Sequence, residues 1–134
     1  MNILVIDGQV GGIGKLLVSG IKSEYPDFFV TAVGANSIAT SAMLKAGADA
    51  AATGENAVCV GCRKADIIAG PVGIVIADAL LGEITPKMAA AIGKSDAKRV
   101  LVPVNHCDNI VVGVGDIPMA KLVQSAVKEI GKGS

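Results

Sequence analysis

Residues 2–15 read NILVIDGQVGGIGK, and the parsing of this stretch decides the fold. Residues 2–7 carry an unbroken apolar run, Ile3 to Ile6, closed by Asp7, the pattern of a strand buried on both faces. Gly8 breaks it. A helix is expected from about Gly12 to Glu24, with Ile13, Leu16, Leu17 and Ile21 at helical spacing. Glycines stand at 8, 11, 12 and 14, more than a simple turn needs. A tight turn needs one residue without Cβ, close approach of a ligand to the backbone a second, and close packing of helix on strand a third. The start of the helix adds unpaired N–H donors and a partial positive charge, an environment suited to an anion.

The loop is therefore expected to hold the phosphate of a nucleotide through Gly8, Gln9, Gly11, Gly12, Ile13 and Gly14. It is not a Walker A loop, because five residues separate Gly8 from Gly14 and Leu16 stands where a Ser or Thr should hold magnesium. Asp7 has two readings. Beside a phosphate it is repulsive unless a cation or hydrogen bond intervenes; alternatively it receives backbone N–H groups of the loop.

Outward from this stretch, short apolar runs alternate with amphipathic ones, which predicts an α/β fold. Strands are expected at 28–33, 48–52, 66–69, 99–104 and 110–114. Helices are expected from Ser37, as N-cap, through Ala46, then up to Arg63, from Thr85 and Pro86 to about Ile92, and from Pro118 to Ile130. The run VGIVIADALL at 72–81 is read as a helix, since the strand before it is complete at Gly70. The expected architecture is a Rossmann-like three-layer sandwich with a mostly parallel sheet, in a single domain spanning 1–134. In such sheets ligands sit beyond the carboxyl ends of the strands. Those ends carry Asp7-Gly8, Gly34-Ala35-Asn36, Thr53-Gly54-Glu55, Gly70-Pro71 and Asn105-His106, so Asn36, Thr53 and Asn105 join the candidate ligand contacts.

Composition narrows the partners. Twelve basic residues balance twelve acidic ones, and aromatics are limited to two Phe and one Tyr. With neither a basic tract nor a stacking platform, nucleic acid is not an expected partner. The mean hydropathy is high, +0.59, but the apolar stretch Ile67–Ala77 is too short to span a bilayer. No positively charged leader precedes the first strand, and three Cys do not make a disulfide framework. The expected location is the cytoplasm. A helix over 72–81 would be apolar nearly all round, so a homodimer is expected to cover it.

The spacing Gly8-x-x-x-Gly12-Ile13-Gly14 resembles the glycine loop of short-chain dehydrogenases. The resemblance implies NAD(P) or a nucleoside phosphate as the cofactor. It stops at the first strand, loop and helix. That family's Tyr-x-x-x-Lys pair is absent, because Tyr25 is followed by Phe29, and Gly34-Ala35-Asn36-Ser37 lacks the acidic residue that binds a ribose at the end of the second strand. Over nearly the whole chain, the strings VIDGQ, GGIG, MLKAGADA, TGENA, GPVGIVIADALLGEITP and VPVN are similar to a bacterial family of short Rossmann-like proteins, the domain-of-unknown-function 3842 family. That resemblance implies the fold and the cytoplasmic location, and assigns no catalytic role.

Two further groups stand at the rim. Cys59-x-x-Cys62 with His106-Cys107 offers the ligand set of a Cys3His zinc site, or a redox dithiol. Adjacent residues on an extended segment point oppositely, so no metal is assigned. His106 and Glu55 are the acid–base candidates. The expected function is nucleotide or dinucleotide phosphate binding. The alternatives are an interaction or sensor protein that retains the fold, and a small metal-binding or redox domain using Cys59, Cys62 and Cys107.

Overall fold

The computed structural model describes residues 1–104 and 109–133. Asn105, His106 and Cys107 lie outside them. Five strands, β1 (Asn2–Asp7), β2 (Phe29–Gly34), β3 (Ala50–Thr53), β4 (Ile67–Pro71) and β5 (Lys98–Val102), form one sheet. Its order is β3-β2-β1-β4-β5 and every pairing is parallel. The helices are α1 (Gly12–Glu24), α2 (Ser37–Lys45), α3 (Glu55–Lys64), α4 (Pro86–Lys94) and α5 (Met119–Lys132).

Right-handed crossovers fix the layers. The chain moves outward from β1 to β2 to β3, then returns past β1 to β4 and β5, so its connections change face at that reversal. Two apolar clusters follow. On one face Leu17, Val18 and Ile21 of α1, Met43 of α2 and Val127 and Ile130 of α5 pack on Ile3, Val5 and Val30. On the other, Val58 and Cys62 of α3 and Met88 and Ile92 of α4 pack on Leu4, Ile6 and Ile68. β1 feeds both clusters, which is why its apolar run does not alternate. This is the three-layer Rossmann-like sandwich, with β1 and β4 flanking the topological switch point.

Three sequence expectations are corrected. Residues 72–81 are not a helix: Val72–Val75 make one 3-10 turn and turns follow to Ile84. Ile74, Leu80 and Ile84 are drawn into the cluster under α3 and α4 by the turns rather than by a helix face. With that helix goes the all-apolar surface from which a dimer was expected. Residues 110–114 are not a strand either. Strand propensity needs a ladder to join, and Ile110 and Val112 instead stand 82% and 92% exposed. Finally, the N-cap of α2 is Asn36, not Ser37: the Asn36 side chain accepts from the Ala39 amide.

Candidate functional site

The carboxyl ends of β1, β2 and β4 converge on the glycine loop. Gly8 closes a turn by accepting from the Gly11 amide at 2.9 Å, and Gly11, at φ 73°, is the N-cap of α1. A side chain at 11 would meet the backbone of Ala39 at 3.0 Å, so this glycine lets the loop lie on α2. Gly14 packs α1 on the sheet and on α2: a Cβ there would lie 2.8 Å from Asp7 Cβ and 2.6 Å from Met43 Sδ. Gly12 is different. Among the described residues, nothing lies within 4 Å of where its Cβ would stand.

Asp7 is buried, at 5% exposure. One carboxylate oxygen accepts the Gly8 amide at 2.8 Å and the other the Gly14 amide at 2.6 Å. The second of the two readings of Asp7 therefore holds: it ties the end of β1 to the first turn of α1. Among the described residues, the amides of Gly12 and Ile13 find no acceptor, so these two donors remain at the helix start.

The sequence reading missed Glu83. The turns after β4 carry it across β1 to the end of β2. Its Oε1 accepts the Gln9 amide at 2.6 Å, and its Oε2 accepts Asn36 Nδ2 at 2.8 Å. Gly8 leaves room for it, since a Cβ there would collide with Glu83 Oε1. Asn36 also donates to the Gln9 carbonyl at 2.9 Å. The loop that presents Glu83 is costly. Asp78, Leu80 and Leu81 have φ of 66°, 56° and 57°, a region that side-chain-bearing residues enter at a cost of about 1–2 kcal/mol each. Asp78 and Glu83 are the charged residues between Asp66 and Lys87, and a charge held in so apolar a tract was the available signal.

The other candidates are not part of the glycine loop itself. Thr53 ends β3 at the sheet edge, its hydroxyl 2.7 Å from that of Thr40. Glu55 opens α3 and accepts from the Thr85 hydroxyl at 2.6 Å, so it joins the starts of α3 and α4. Thr85 in turn caps α4 by accepting from the Met88 amide. Cys59 and Cys62 lie one turn apart on α3. Burial, and then the neighbouring Cys59, push the Cys62 thiol up to about 11. Among the described residues no group of three or more His, Cys, Asp and Glu is placed to hold a metal ion. A pocket of about 290 Å³ opens beside the Glu83 loop, lined by Val72, Ile76, Leu80, Leu81, Val104 and Asn109. No helix among the described residues is long and apolar enough to cross a membrane.

Comparison with known proteins settles the kinship. A family model, Domain of unknown function (DUF3842), matches residues 2–133. The chain belongs to this family. The match takes in the whole sheet, the glycine loop and Glu83, so the site described above lies within the family domain. No curated protein matches significantly. Among solved structures the chain is similar to a dodecameric FMN-dependent Ubix-like decarboxylase from Escherichia coli O157:H7, at 20% identity over 98% of this chain and 76% of that one, with a TM-score of 0.48.

Proposed function

We propose that this protein binds a nucleotide or dinucleotide, with a phosphate on the amides of Gly12 and Ile13 and the remainder along the strand ends past Gly8 and Gln9. The observation that carries this reading is the state of the loop. Asp7 shapes it, Gly11 and Gly14 let it pack, and among the described residues the two amides at the start of α1 stay without an acceptor, beside open space at Gly12. A helix start with free donors and room in front of them suits a phosphate. Lys15 and Lys45 line the adjoining groove between α1 and α2. Asn105, which lies outside the described residues, is kept as a proposed contact on its place in the sequence alone. The protein acts in the cytoplasm in this reading.

One observation favours a second reading, an interaction protein that keeps the fold without the ligand. Glu83 already occupies the Gln9 amide, so part of the loop's donor set is satisfied from within. Thermal unfolding in the presence of NAD+, NADP+, ATP, GTP, FMN and FAD, with and without magnesium, separates the two. A ligand at a hundred times its Kd should add about 2.7 kcal/mol to stability. Gly12→Val should fold normally, having open space for the side chain, and lose that gain. No shift with any ligand, or an equal shift in Gly12→Val, refutes nucleotide binding at this loop.

A further inference from the structure

Building on that reading, we infer that Glu83 is the group that selects an unesterified ribose. The end of β2 lacks an acidic residue of its own, and Asn36 cannot serve as a substitute. Its Oδ1 caps α2, and its Nδ2 donates both to the Gln9 carbonyl and to Glu83. All of its hydrogens are committed, so Asn36 is a positioning residue. What it positions is a carboxylate, delivered to the end of β2 from the connection after β4.

The acceptor count fits a diol. An ionised carboxylate offers about four lone-pair sites. Among the described residues Glu83 uses one on each oxygen, for the Gln9 amide and for Asn36 Nδ2. One site remains on each oxygen, matching the two O–H groups of a vicinal diol. A phosphate in place of either hydroxyl would bring a second anion against the carboxylate, a built-in element of rejection. Two features hold Glu83 to this place. Leu80 and Ile84, on either side of it in sequence, are anchored in the core. The glycine at 8 excludes any side chain that would push it away. The left-handed conformations of Leu80 and Leu81 are the strain that this placement costs.

Calorimetric titration tests the inference with two ligand pairs, NAD+ against NADP+ and ADP against 2'-deoxy-ADP, on the parent protein and on Glu83→Gln. The parent should bind NAD+ at least tenfold more tightly than NADP+, and ADP about tenfold more tightly than 2'-deoxy-ADP. Glu83→Gln, with its melting temperature measured alongside, should bring both ratios close to one by weakening the diol ligands and improving NADP+. A parent with no such preference overturns the inference without any variant. So does a preference unchanged in Glu83→Gln, or a uniform tightening of all four ligands, which would make Glu83 a plug. Binding of FMN alone overturns it while nucleotide binding stands. Failure of every ligand in the panel overturns both.

Discussion

Gly12 and Gly14 are two residues apart in one helix turn, yet the same substitution should act on them with opposite signs. At Gly14 an added methyl would lie 2.8 Å from Asp7 Cβ and 2.6 Å from Met43 Sδ. Met43 can rotate only within a filled core, since it is fully buried. Asp7 cannot retreat, because its Cβ is fixed on β1 and its carboxylate bonds the Gly14 amide at 2.6 Å. Helix α1 must therefore shift outward. Overpacking of this kind costs about 1–3 kcal/mol, and weakening a charge-assisted bond adds about 1 kcal/mol or more. The higher helix propensity of Ala returns at most about 1 kcal/mol. The net expectation for Gly14→Ala is a loss of about 2 kcal/mol. At roughly 2.1 cal/mol/K of unfolding entropy per residue, a chain of this length loses about 3–4 °C per kcal/mol, so the melting temperature should fall by about 7 °C. Gly12→Ala meets nothing within 4 Å among the described residues, and it should leave the melting temperature unchanged or raise it by up to about 3 °C. Thermal unfolding followed by far-ultraviolet circular dichroism at pH 7 measures both. A Gly14→Ala variant as stable as the parent, or a Gly12→Ala variant destabilised equally, would refute the assignment of Gly14 to packing and Gly12 to open space.

Two further outcomes follow from hydrogen bonds at the ends of strands. Asp7→Asn must turn an NH2 group toward either the Gly8 or the Gly14 amide; the lost charged bond and opposed donors should cost about 2–3 kcal/mol in urea unfolding at pH 7, and an unchanged midpoint would contradict the role of Asp7. The Val30 amide first, and then Lys22, hold Asp49 below the usual carboxylate range. Its contribution to stability is thus present above the unfolded-chain pKa of about 3.9 and is lost as pH falls through the lower folded value. The gap in melting temperature between the parent and Asp49→Asn should accordingly be widest near neutrality and close as the pH drops below about 4; a gap that stays constant across that range would remove the pairing from the account.

The sequence itself carried the first strand, the glycine loop and the first helix, residue for residue, because each is specified within a few turns of chain. The apolar run of β1, the break at Gly8 and the helical spacing of Ile13, Leu17 and Ile21 are short-range signals, although Leu16, set in the same stripe, stands exposed. The same is true of Thr85 and Pro86 opening α4. The alternation of elements was enough to give a parallel α/β sheet. What local pattern could not settle is where an apolar segment goes when it has more than one place to bury itself. Residues 72–84 satisfy helical propensity, but Ile74, Leu80 and Ile84 gain more by folding back under α3 and α4. Residues 110–114 look like a strand and find no ladder. Asp7 posed a question of sign that the sequence left open, and two amides at hydrogen-bond distance answered it. Glu83 marks the boundary between the two kinds of information. It contacts Gln9 across 74 residues of chain, and that contact depends on sheet order, crossover handedness and the anchoring of Leu80. These are long-range packing choices, made by the folded chain as a whole. The course of the loop was therefore legible from its own residues, and the carboxylate that bonds its Gln9 amide became visible only when the strands were laid side by side.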